Sequence, residues 1–153
     1  EDFRVGHMID AAGEGEVIVV ANGGAPVSTW GGMATYAAVR KGISGLIVDG
    51  GVRDREEILE FGLPVFATHV VPTPGKTRLK VEAIGEPVIC GGVRVAPGDV
   101  IVADGSGVVV LPAGRAEEIA ALAAGYAEDD RRAMADLKAG LSFREALAKY
   151  AKI

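Results

Sequence analysis

The chain has one cysteine, Cys90, and two histidines in 153 residues. A lone thiol can neither close an internal disulfide nor build a thiolate metal cage, and it suits a reducing compartment. His7 and His69 have no cysteine or histidine companions at metal-ligand spacing, so nothing points to zinc. Aromatic side chains are only 5% of the residues, so a core must come from the Ala, Val, Ile and Leu that dominate a 49% apolar fraction. No apolar run approaches the roughly 20 residues of a membrane helix, and no basic start with an apolar stretch marks export. Positive charge is also short, with sixteen Lys and Arg against twenty-one Asp and Glu and a net charge of -5. That balance gives no reason to expect nucleic acid or anionic lipid as a partner. Neither G-x-G-x-x-G nor G-x-x-x-x-G-K-[ST] follows a strand, and no G-x-S-x-G elbow surrounds Ser28 and Thr29. The expectation is a cytoplasmic protein that binds neither nucleic acid nor membrane.

What is present reads as α/β. The chain length fits a single domain, 1–153, and the opening at Glu1 without a methionine suggests that an N-terminal segment is missing. Val5 to Ala12 reads as a short helix feeding a buried strand, Glu16 to Ala21, that ends at a turn of Asn22, Gly23 and Gly24. Ser28 and Thr29 are placed as a cap for a helix from about Gly31 to Lys41, with Gly42 as its stop. Leu46 to Asp49 is the next strand, Asp54 to Phe61 a helix stopped by Gly62, and Pro64 to Val70 a third strand. This alternation is the signature of right-handed crossovers and a parallel sheet. Short runs follow at Leu79 to Val81, Val88 to Cys90, Val93 to Val95, Val100 to Ala103 and Val108 to Leu111, so the middle of the chain is β-rich. From Ala113 the chain is helical, with a broken apolar stripe of Ile119, Leu122, Tyr126, Met134 and Leu137. Ser142 and Glu145 stand at capping-box spacing for a last helix reaching Ile153.

Two places at strand ends carry chemistry, because ligands in parallel α/β sheets bind where strand ends and helix starts converge. At the first, Gly31 to Ala34, a glycine pair opens a helix and leaves bare amides and the positive end of the helix dipole facing outward, suited to a carboxylate. At the second, the apolar run IVDGGVRD breaks at Gly50 and Gly51 and presents Arg53 beside Asp54. Arg53 offers a planar donor fork for a carboxylate, and Asp54 a hard oxygen for magnesium or manganese. Together they would hold a metal-bound keto acid. Structural readings stand beside these. Asp54 and Glu57 are equally a capping box for the helix they open, Arg53 a solvated surface residue, and the glycines a means of close packing. Asp49 fits a turn cap better than a second acidic ligand, and Cys90 an inert buried thiol.

Trp30-Gly31-Gly32, the run IVDGGVRD and the downstream PGDVIVADGSGVVVLP resemble the family that contains 4-hydroxy-4-methyl-2-oxoglutarate aldolase and the regulator of ribonuclease activity A, the RraA-like proteins. The resemblance runs from about His7 to Leu111. It implies a swivelling β/β/α domain with mixed sheets and C-terminal helices, homotrimers that sometimes pair into hexamers, and a site between subunits. For activity it implies a divalent-metal-dependent lyase that cleaves 4-hydroxy-2-oxo acids to pyruvate and a second keto acid and decarboxylates oxaloacetate. Gly31, Gly32, Met33 and Ala34 would then receive the pyruvyl carboxylate, Arg53 would contact the same small oxo acid, and Asp54 would bind Mg2+ or Mn2+. Aldolase members usually carry an acidic residue where this chain has Gly32. The resemblance also implies two alternatives: a non-catalytic regulator that docks on a ribonuclease, although such members tend to lose the Arg-Asp pair, and a lyase acting on a sugar acid.

Overall fold

The structure is a computed structural model that describes residues 5–150. The supposed missing segment before Glu1 and the last three residues of the predicted final helix lie outside the described residues. The chain divides into two compact units, residues 1–110 and 111–153.

In the first unit α1 (Val5–Ala11) leads into β1 (Val17–Trp30), followed by α2 (Gly32–Lys41), β2 (Gly45–Val52), α3 (Arg55–Phe61) and β3 (Val65–Val70). The three strands form a parallel sheet in the order β1-β2-β3, as the alternating pattern predicts. Each connecting helix is stopped by a glycine in the left-handed region, Gly42 (φ 79°) and Gly62 (φ 74°), whose amides return to the last helical carbonyls. β2 is buried along nearly its whole length, which is why its sequence shows no polar alternation. Leu46, Val48 and Val52 of β2 join Ile18, Trp30, Ala38 and Ile58 in one core cluster.

Three expectations are corrected here. The first strand does not end at Asn22. It continues to Trp30 through register shifts between Ala21 and Ala25, Ala25 and Ser28, and Ser28 and Trp30. Gly23 (φ 58°) and Gly24 (φ 71°) absorb a bulge that lets the strand bend and carry on. Ser28 and Thr29 therefore lie in a strand and cap nothing; the N-cap of α2 is Gly31, and the Ser28 hydroxyl donates to the Trp30 carbonyl at 2.8 Å. Leu79 to Val81 is also no strand, because this stretch follows a turn in which the amides of Arg78 and Leu79 both donate to the Gly75 carbonyl.

The rest of the first unit is β4 (Val88–Cys90) paired antiparallel with β5 (Val93–Val95), and β6 (Val100–Asp104) paired with β7 (Gly107–Leu111). The second unit holds a short 3-10 turn (Ala113–Arg115), the 23-residue α4 (Ala116–Lys138) and α5 (Phe143–Lys149). Helices α4 and α5 pack on each other, and the expected capping box forms: Glu145 N–H donates to Ser142 Oγ at 3.3 Å while Ser142 N–H donates to Glu145 Oε2 at 3.0 Å. Of the predicted stripe, Leu122, Tyr126 and Met134 are exposed.

Candidate functional site

The end of β2 and the start of α2 meet at one carboxylate. The Arg53 amide donates to the Trp30 carbonyl at 2.9 Å, which ties the residue after β2 to the residue before the glycine pair. Asp54 then takes the left-handed conformation (φ 56°, ψ 45°), one of two non-glycine residues with positive φ among the described residues. Aspartate tolerates this region better than most side chains, and residues held there concentrate at functional sites. The twist turns the side chain away from α3, so the expected capping box with Glu57 does not form. Instead Asp54 Oδ2 accepts the Gly32 amide at 3.0 Å and caps the neighbouring helix. Arg53 Nε lies 3.7 Å from the same oxygen, with Arg53 46% and Asp54 33% exposed. A pair so open to water contributes little to stability.

Side chains lie close against both glycines. A Cβ at Gly31 would lie 2.5 Å from Asp54 Oδ2 and 3.1 Å from both Arg53 Cγ and Nε. A Cβ at Gly32 would collide with Glu57 Oε2 and sit 2.7 Å from its Cδ. Glu57, one helical turn beyond Asp54, thus lays its carboxylate over the first residue of α2. Sequence reasoning assigned Glu57 only to capping, although the three-residue step from Asp54 was the available signal. The structure therefore gathers Gly31, Gly32, Arg53 and Asp54, and adds Glu57. Met33 points outward, 84% exposed, while Ala34 is partly buried against the core. Gly31 offers no side-chain oxygen as N-cap, so the first-turn amides of Met33 and Ala34 remain for another acceptor.

The other polar residues go elsewhere. A cavity of about 490 Å³ on the first unit is lined mainly by apolar strand residues such as Ile47, Phe66, Val93 and Val108, and it contains Asp49 and Cys90 but none of the candidate site residues. Burial pushes the Cys90 thiol up, which makes it a poor nucleophile. The His69 ring pairs with the Gly24 carbonyl at 3.1 Å.

Among the described residues no group of three or more His, Cys, Asp or Glu could hold a metal ion. The donor set is one carboxylate, Asp54, with Glu57 over the adjoining helix start. Such a set fits magnesium or manganese, which keep several waters and need one or two protein carboxylates beside the substrate; it does not fit zinc.

A parallel sheet whose strand end places an arginine and a carboxylate against a glycine-opened helix defines an α/β protein with these groups at the strand ends, where such folds bind ligands. Comparison with known proteins narrows this. The RraA-like family (Aldolase/RraA) matches residues 1–110, and the chain belongs to that family. It is 39% identical over 129 residues to an uncharacterised protein of Methanocaldococcus jannaschii, covering 84% of this chain and 62% of that one. It is 33% identical over 113 residues to the 4-hydroxy-4-methyl-2-oxoglutarate aldolase of Thermus thermophilus, covering 73% of this chain and 68% of the relative. Among solved structures, Streptomyces coelicolor RraAS2, described as an unusual member of the RNase ES inhibitor RraA family, superposes with a TM-score of 0.81 at 30% identity, over 87% of this chain and 68% of that one. The mixed α/β fold with its parallel sheet and C-terminal helices is thus the RraA-like fold. Among the described residues no helix is long and apolar enough to cross a membrane.

Proposed function

We propose that the chain carries the site of a divalent-metal-dependent lyase that cleaves 4-hydroxy-4-methyl-2-oxoglutarate or a related 4-hydroxy-2-oxo acid to pyruvate and a second keto acid, and that decarboxylates oxaloacetate. The observation that carries the reading is the meeting of three groups at one point: Asp54 Oδ2 is 3.0 Å from the Gly32 amide and 3.7 Å from Arg53 Nε. In this reading the first-turn amides of Met33 and Ala34, with Gly31 and Gly32 leaving the approach clear, receive the carboxylate of the oxo acid, and the helix dipole favours its charge. Arg53 grips the same anion with its donor fork. Asp54 would hold magnesium or manganese, which when bound supplies Lewis acidity toward the 2-oxo group. Glu57, whose carboxylate lies over the start of α2, would orient water and hold a proton beside the reacting carbon. A homotrimer with such sites in its clefts, singly or paired into a hexamer, is part of the same proposal.

The test is pyruvate release from oxaloacetate with and without Mg2+ or Mn2+, together with metal-dependent exchange of the pyruvate C3 protons. Asp54→Ala is expected to lower both by about 100-fold or more. Wild-type turnover in that variant would remove Asp54 from the reaction. Likeness to RraAS2 favours a second reading, a regulator that docks on a ribonuclease. Recovery of a ribonuclease with the chain, together with no metal-dependent exchange, would establish it instead; retention of Arg53 and Asp54 favours the enzyme.

A further inference from the structure

We infer that Thr35, a buried residue on α2, is a positioning residue that aims the Asp54 carboxylate through a single peptide plane, a role that rests on the proposed lyase site. Thr35 is fully buried, at 0% exposure. Its hydroxyl accepts the Trp30 indole N–H at 2.9 Å and lies 3.0 Å from the Gly31 carbonyl. An indole nitrogen only donates, so the Thr35 oxygen is the acceptor there and its own proton must go to Gly31. The Thr35 backbone amide reaches the same carbonyl at 3.0 Å. The Gly31 carbonyl is therefore held from inside by two donors of one residue. The peptide unit is planar and trans, so fixing the Gly31 C=O fixes the Gly32 N–H on its opposite side. That N–H is the one that Asp54 Oδ2 accepts at 3.0 Å.

The chain of contacts runs from the core outward: indole to hydroxyl, hydroxyl to carbonyl, and across the rigid amide to the carboxylate. Glycines at 31 and 32 have no side chain to lock this plane, and without the Thr35 hydroxyl only the Thr35 amide would hold it. Trp30 also anchors the other half of the site, because its carbonyl accepts from both the Arg53 amide, at 2.9 Å, and the Ser28 hydroxyl, at 2.8 Å. A carboxylate ligand whose supporting hydrogen bond is lost characteristically weakens metal binding or activity by about 10- to 100-fold.

The experiment compares Thr35→Val, which keeps shape and removes the hydroxyl, with Thr35→Ser, which keeps it. Three quantities are read on the full chain below the thermal midpoint of each variant: amide hydrogen exchange at Gly32, Mn2+ affinity by calorimetry, and kcat against KM for oxaloacetate decarboxylation. Thr35→Val is expected to raise Gly32 exchange and to lower Mn2+ affinity and kcat each by about 10-fold, with KM within about twofold. Thr35→Ser is expected to stay within about threefold of wild type in all three. Wild-type values in Thr35→Val, or equal losses in Thr35→Ser, overturn the role. Should Thr35→Val fail to fold, Thr35→Ala removes the same hydroxyl, and unchanged Gly32 exchange and Mn2+ affinity there overturn it too. A wild-type chain with no Mn2+ affinity and no turnover sinks the lyase reading and this role with it, whereas an active wild type beside an unaffected Thr35→Val sinks this role alone.

Discussion

A methyl group at Gly32 has no place to go while Glu57 lies across the start of α2. The two positions therefore compete for one volume: this chain fills it with a carboxylate from α3, where aldolase members usually carry an acidic residue on the helix start itself. Glu57→Ala should consequently cost more than loss of a solvated surface charge, lowering metal-dependent oxaloacetate decarboxylation by about 10-fold or more with little change in thermal midpoint. The double variant Glu57→Ala/Gly32→Asp returns a carboxylate to the emptied space from the other helix and is expected to recover activity. Kinetics of the single and double variants at saturating Mg2+ check this; equal activity of wild type and Glu57→Ala would leave Glu57 without a part. Gly31 behaves differently, because its neighbours are Asp54 and Arg53 themselves. Gly31→Ala is expected to push the pair apart and abolish turnover while the core stays folded, measured by activity alongside circular dichroism.

Among the elements, α5 shows charge and capping acting together. Asp136 of α4 is held below the usual carboxylate range, chiefly by the Lys149 ammonium and then by the Tyr150 hydroxyl, and Glu145 is lowered by the Ser142 hydroxyl and amide. Lys149 is correspondingly raised by Asp136. For the depressed carboxyls, the stabilisation is complete above their unfolded pKa near ~4 and is lost as pH falls through the folded values. For the raised lysine it is complete below about 10.5 and is lost as pH rises through the folded value. The attachment of α5 to α4 is therefore expected to loosen below about pH 4 and again above about pH 10.5. These groups are solvent-exposed, so salt should blunt both limbs. Amide exchange of residues 143–149 against pH reads the effect, and Asp136→Asn should remove the dependence on Lys149.

At the scale of the molecule, the candidate site lies at the end of the central strand of the first unit's parallel sheet, which is buried on both faces. Leu46 of that strand, at 0% exposure, belongs to the core cluster. Leu46→Ala is expected to lower stability by about 2–5 kcal/mol, read as a drop in thermal midpoint of several degrees. The strand ends that place Arg53 and Asp54 depend on that anchoring, so activity at temperatures near the new midpoint should fall in step with folding. The family match covers residues 1–110, which contain the whole candidate site.

Much of this was legible in the chain itself. Hydrophobic period and glycine stops placed β2, α2, α3 and β3 to within a few residues, because a buried strand and a helix C-cap are local physics that the side chains state directly. The pairing of Arg53 and Asp54 at a strand end, beside a helix opened by glycines, was likewise readable from order and spacing. What only the tertiary structure decided is where each side chain spends its hydrogen bonds. Asp54 and Glu57 have the spacing of a capping box, yet Asp54 takes a left-handed backbone and caps α2, 22 positions back in the chain, while Glu57 folds over Gly32. The bulges that carry β1 past Asn22 to Trp30, and the Trp30-Thr35-Gly31 relay behind the site, arise from register and burial against β2 and the core. A sequence states which groups can bond; only the packed chain determines which of several permitted partners comes within reach.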